Sequence, residues 1–352
     1  MLKLKSIITH TPEFEHLREQ IFSSRTVSIK GISGSFLSFI LNYVFELFET
    51  SLLAIIPDTE RAEKLADDLQ SLMPRSRVHY FPQAETLPYD QGSFTPAIHS
   101  ARLNTLVSML EEPASIIVTT PIGLLQQISS PEAIRKQVSY LKAGDTVDRD
   151  FLIEWLVESG FERMAALEEI GQFSARGGIV DVFSLEAEAP YRIEFADDQI
   201  HSIREFEILS QLSIRHLEKI RIVGKTTDRN RQANLFQYLK PGSVLFWDDA
   251  EQAAKMIREW LIHAQRIFQE KPDLPASWYL SEEIIQQLSA EYRQIFHPRL
   301  QPVTNSTVNF QVQAPQSFQG NFKRFLKYLE DRLGRKQKNA FPLYVVFDTP
   351  AR

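Results

Sequence analysis

Short apolar runs alternating with helical stretches constrain the fold of this chain more than any other feature. Over residues 1–125, strands are expected at Thr26–Lys30, Leu52–Pro57, Val78–Pro82 and Ser115–Thr120. Helices are expected from Thr11-Pro12-Glu13 to about Phe22, over 35–49, over Asp58–Met73 with Asp58 or Thr59 as cap, over Ile98–Glu111, and in a short piece opened by Pro121. A strand as apolar as Leu52–Pro57 is buried on both faces. Repeated βα units of this kind imply a parallel sheet covered by helices above and below.

The pattern changes at Ser129-Ser130-Pro131 and returns near Lys225–Asn230. One helix is clear in between, Arg149–Glu158, closed by Ser159-Gly160; alternating strands make up most of the rest. Beyond residue 230 the expected elements are a strand at Ser243–Trp247, helices at Asp249–Gln269 and Ser281–Tyr292, a strand at Thr307–Gln313, a helix at Asn321–Gly334 and a buried strand at Leu343–Phe347. A further soft boundary is Lys271–Pro275. The expected organisation is an α/β domain built from 1–128 and 225–352, split by an α+β insert at 129–224. The last strand stops close to Arg352, as at a boundary within a longer protein.

Composition narrows the function. With 352 residues, 43% hydrophobic and 24% charged, the chain can hold two or three cores. No apolar run spans a membrane and the amino terminus is no secretion signal. The absence of cysteine excludes disulfides and thiolate metal sites and suits a reducing cytoplasm. The histidines show no zinc-binding spacing, so no metal is expected. A net charge of −6 argues against a stand-alone, tight DNA binder; the densest basic stretch is Lys323–Lys338.

Two segments read as remnants of a nucleotide site. Gly31-Ile32-Ser33-Gly34-Ser35-Phe36-Leu37-Ser38 lies between a strand and a helix, where a phosphate loop sits. Phe36 stands where a glycine should let backbone N–H groups wrap phosphate. Leu37 stands where a lysine should pair with it, leaving Gly31, Gly34 and Ser38 without their chemistry. The apolar run before Asp248-Asp249 ends in acids where helicase-like motors hold magnesium. Here Asp248 or Asp249 is expected to cap the following helix. The fold class is therefore α/β, a helicase-like parallel-sheet domain split by the smaller insert, with no catalytic residues and no cofactor.

Residues 168–208 carry the functional signal: EEIGQFSARGGIVDVFSLEAEAPYRIEFADDQIHSIREFEI. A strand follows Gly177-Gly178. Tyr191, Ile193 and Phe195 alternate with Arg192 and Glu194 in a second, and a turn at Asp197-Asp198-Gln199 leads to a third. Arg176 and Arg192 are expected on one exposed polar face, within reach of each other, each able to grip a carboxylate or phosphate. The plainer alternative is solvation, or pairing with Glu168, Glu169 or Glu194.

With Y-F-P-Q-A-E-T-L-P-Y-D (80–90), S-A-R-L-N-T-L (100–106), I-V-T-T-P-I-G-L-L-Q (117–126), Y-L-K-P-G-S-V-L-F-W-D-D (238–249) and S-F-Q-G-N-F (317–322), this block resembles the amino-terminal, UvrB-like module of the bacterial transcription-repair coupling factor (Mfd). The excinuclease protein UvrB itself is the less similar relative. It has an intact ATP loop and a long tyrosine-rich hairpin, whereas only Asp90–His99 separates P-Y-D from the next helix here. The resemblance implies a non-catalytic adaptor that docks on the excinuclease protein UvrA through Arg176, Arg192, Phe195 and Gly177. RNA polymerase and DNA would be engaged by regions beyond this chain, and the parent protein would be an ATP-dependent DNA translocase. Ala196 departs from relatives with F-F-D-D, removing an aromatic contact. The alternative reading is half of a nucleotide-dependent DNA helicase, or a UvrB-like DNA-binding protein.

Overall fold

A seven-stranded sheet organises most of the chain, and every pairing in it is parallel. Its order is Thr307–Asn309, Thr26–Lys30, Arg293–His297, Val244–Asp248, Leu52–Ile55, Ile116–Thr119, Val78–Phe81. The computed structural model describes residues 2–84, 96–224, 233–270, 278–298, 307–312 and 322–334. The strand expected at Leu343–Phe347, the boundaries at Lys225–Asn230 and Lys271–Pro275, and residues 85–90 and 317–321 of the quoted motifs lie outside them.

Alternation along these strands explains their apolar runs. Leu53, Ile55, Ile117, Leu245 and Trp247 face one core; Leu52, Ala54, Ile116, Val118, Val244 and Phe246 face another. Helices Pro96–Glu111, Pro121–Leu125, Ala250–Glu270 and Glu282–Ala290 cover the first side; Pro12–Ser23, Phe36–Phe48 and Thr59–Leu72 cover the second. The sheet is therefore buried on both faces, as the sequence pattern required. Asp58 caps its helix by accepting from Arg61 N at 2.8 Å, and Thr120 caps the short helix by accepting from Gly123 N at 3.1 Å.

A second, six-stranded sheet uses residues between those two groups of strands, in the order Ser213–His216, Gln199–Phe206, Tyr191–Ala196, Ile179–Val182, Gln172–Arg176, Glu162–Arg163. Phe173, Val180, Val182, Ile193, Ile200 and Ile203 point to one face. Leu152 and Leu156 of the helix Arg149–Glu158 pack there, with Leu141, Ile220 and Ile222 of a two-stranded ribbon, Val138–Lys142 with Lys219–Val223. A strand does follow Gly177-Gly178, and another precedes it. It is the turn between two antiparallel strands, with Arg176 opposite Ile179. Gly177 has φ 54°, a left-handed conformation that glycine adopts at low cost. Residues 313–352 form a separate unit, in which the helix Phe322–Gly334 is described.

Candidate functional site

The face of the six-stranded sheet opposite its main apolar core carries a row of directly opposed residues: Ser174, Asp181, Arg192, Arg204 and His216. Period-2 alternation puts them on the side away from the apolar core. Asp181 is the centre of the row and only 2% exposed. Arg192 donates to it twice, Nε to Oδ1 at 2.8 Å and NH2 to Oδ2 at 2.9 Å. Arg176 approaches the same carboxylate from the hairpin turn, NH2 to Oδ2 at 3.5 Å. Both arginines thus converge on one acid.

The two are not equivalent. Arg192 lies with its guanidinium 4.3 Å above the Phe206 ring, and its NH2 also donates to Gln211 Oε1 at 2.7 Å. Its side chain is 16% exposed, and the Asp181 carboxylate raises its pKa further. Arg176 is 59% exposed and, among the described residues, makes only the long contact to Asp181. The expectation of two exposed arginines is corrected for Arg192, which is held inside a buried ion pair. Its partner is none of Glu168, Glu169 and Glu194. Glu194 instead accepts from Ser202 Oγ at 2.6 Å and pairs with Arg204, while the backbone N–H groups of Glu168 and Glu169 donate to Gln172 Oε1. Phe195 alternates to the other face and packs partly against the apolar core, so it is not brought together with the arginines. Asp181 was missed because I-V-D-V reads as an apolar strand with one outward acid. The signal was its two-residue offset from Ile179, which sets it opposite Arg192 once the turn is placed.

At the carboxyl ends of the parallel strands, the phosphate-loop remnant is filled. Phe36 meets the Phe310 ring edge-on and the Phe14 ring at a tilt, with ring centroids 5.5 and 6.0 Å away. Leu37 is buried in the core, and Ser38 Oγ donates back to Ser35 O at 2.6 Å. Gly31 and Gly34 have φ 67° and 58°, and the chain at 309–312 crosses so close to Gly31 that an added Cβ would lie 2.3 Å from Asn309 Oδ1. Asp248, fully buried, accepts from Arg61 NH2 at 2.6 Å and contacts His297 Nδ1 at 2.7 Å. The following helix is capped by Asp249, which accepts from Gln252 N at 3.2 Å. Arg61 therefore supplies the positive charge beside Asp248. Among the described residues no group of three or more His, Asp or Glu side chains could hold a metal.

Three of the quoted motifs meet in one joint. Arg102 lies 4.2 Å over the Phe81 ring and donates to Pro82 O at 2.6 Å and Gln126 Oε1 at 2.9 Å; Gln126 Oε1 also accepts from Ala84 N at 3.0 Å. Y-F-P-Q-A, S-A-R-L-N and P-I-G-L-L-Q are thereby fastened together.

A family model described as the UvrB interaction domain matches residues 140–227, which include the whole six-stranded sheet. A transcription-repair-coupling factor of Staphylococcus aureus (strain bovine RF122 / ET3-1) is 28% identical over 222 residues, 63% of this chain and 19% of that protein. The protein of the same name from Staphylococcus haemolyticus (strain JCSC1435) is 26% identical over 219 residues, 62% of this chain and 19% of its own length. The chain thus spans about a fifth of the curated relatives it matches. The chain is thus similar to a part of these transcription-repair-coupling factors, and its residues 140–227 match the UvrB interaction domain.

Proposed function

We propose that this chain is a non-catalytic adaptor which recruits the excinuclease protein UvrA during transcription-coupled excision repair. The observation that carries the reading is Arg176. It stands at a hairpin turn of the matched domain, largely exposed, with one long contact to an acid already satisfied by Arg192. An arginine so placed has most of its N–H donors free for a carboxylate on a partner. Arg192 would add an electrostatic background and hold the turn, with Gly177 shaping it; Phe195 would act from beneath.

The phosphate-loop remnant supports the non-catalytic part. Phe36 and Leu37 belong to the core, and Arg61 neutralises Asp248, so neither phosphate nor magnesium has a prepared seat. Residues 129–224 would act as the docking insert, with 1–128 and 225–352 as its α/β platform. Translocation on DNA and contact with RNA polymerase would belong to the rest of the parent protein.

A pull-down of purified UvrA on the immobilised chain tests this reading. Retention that is lost with Arg176→Glu is expected, and no retention by the wild-type chain would overturn it. Calorimetry with ATP and magnesium should give no binding heat; binding at micromolar concentration would revive the helicase alternative.

A further inference from the structure

The loop between the strands Gln199–Phe206 and Ser213–His216 turns large apolar side chains to solvent at the edge of the second sheet. Leu209 is 93% exposed, Leu212 69% and Ile214 58%. Single exposed leucines are ordinary on a protein surface, but three such residues within six positions form a patch. The loop is also fastened. Gln211, at φ 59°, donates from its backbone N–H to Glu207 O at 2.9 Å and from Nε2 to Ile208 O at 2.7 Å. Ser210 Oγ donates to Glu207 Oε2 at 2.5 Å, and Glu207 N to Leu212 O at 2.9 Å. Gln211 Oε1 then accepts from Arg192, so the loop is tied to the guanidinium that grips Asp181.

We propose that Leu209 and Leu212 form the apolar half of the surface on which UvrA docks, with Arg176 as its cationic half. This rests on the adaptor reading above. A bonded chain, Arg176–Asp181–Arg192–Gln211, runs from the exposed cation to the residue beside Leu212. The two features thus belong to one sheet, with the long 3.5 Å contact of Arg176 as the first link. The matching partner surface is a carboxylate flanked by an apolar pocket. Apolar contacts around an ion pair exclude water and strengthen it, and a loop ordered beforehand loses little freedom on docking. The leucines would also supply contact area that Ala196 does not. Self-pairing through the same edge is disfavoured. Arg215 on the edge strand is committed to Glu205 by bonds of 2.6 and 2.8 Å, and charged residues on an edge oppose strand addition.

The test is calorimetric titration of purified UvrA with the whole chain, comparing wild type, Arg176→Ala and Leu209→Ser/Leu212→Ser. Thermal melts and light scattering accompany each. The leucine variant should keep the wild-type melt and lose affinity by ~10-fold or more, an amount typical of an anchor residue. That loss should persist at high salt, whereas the Arg176→Ala loss should shrink. Should the double variant melt early, Leu209→Glu alone at the loop tip decides, with the same loss expected. Unchanged affinity in a folded leucine variant, while Arg176→Ala is impaired, overturns this inference and leaves the adaptor reading standing. No binding by wild type overturns the adaptor reading itself. A self-associated wild type made monomeric by the leucine changes, with affinity for UvrA unaltered, assigns the patch to a second copy and overturns the inference.

Discussion

At the scale of single residues, the chemistry turns on which charges are already taken. Asp181 binds Arg192 with two short bonds and is almost fully enclosed. Removing either partner leaves a charge without compensation in a poorly hydrated place, at a cost of about 3–5 kcal/mol. Arg192→Ala and Asp181→Asn should therefore lower the melting temperature as well as any partner affinity, and the double variant should cost less than the sum of the singles. A melt unchanged from wild type in both singles would contradict this description of the pair. Arg192→Glu is consequently a poor probe of binding, since it sets a second carboxylate against Asp181. Arg61→Ala is expected to destabilise by about 1–3 kcal/mol, because buried Asp248 loses one of its hydrogen-bond partners. Denaturant titration measures that loss. The two arginines were legible in the sequence through their strand context. The acid that distinguishes them was not, because strand register decides which side chains meet, and the strand Gln172–Arg176 and its hairpin turn were not expected.

Whole elements were legible where burial is symmetrical and caps are local. Thr26–Lys30 and Arg149–Glu158 match their expected bounds, and Asp58 caps as its position suggested. The strand Arg293–His297 was not legible, although it lies inside the parallel sheet. Of its five residues only Ile295 and Phe296 are apolar, and each polar one has its own partner. Arg293 donates to the carbonyls of Ile21 and Ser24, Gln294 accepts from Trp247 Nε1 at 3.1 Å, and His297 contacts Asp248. Tertiary bonding replaces the apolar pattern there, so no periodicity survives to be read. The helix Leu2–Thr9 and the strand Gln172–Arg176 were missed as well. The former has no capping signal and the latter carries three polar residues in five. The phosphate-loop remnant gives an element-scale prediction. Phe36→Gly/Leu37→Lys restores the lost residue types, yet it removes a packed ring and places an ammonium in the core. The variant should melt well below wild type, by about 3 kcal/mol or more, and still bind no ATP in calorimetry. Gain of ATP binding with an unchanged melt would show the site to be open rather than filled.

For the whole molecule, the net charge of −6 bears on what it can grip. The helix Phe322–Gly334 carries Lys323, Arg324 and Lys327, but one basic turn releases few counterions from DNA. Fluorescence anisotropy at about 150 mM salt should show no sub-micromolar DNA binding by this chain. In the parallel sheet Phe36 and Leu37 fill the phosphate-loop position, and the second sheet carries the paired Asp181 and Arg192 with the exposed Arg176. The most direct measurement is the affinity of this chain for UvrA, wild type against Arg176→Glu, read beside their melting curves. The adaptor account predicts binding by wild type, a loss of about 2–5 kcal/mol for the variant and coincident melts. Equal affinities with coincident melts would contradict it.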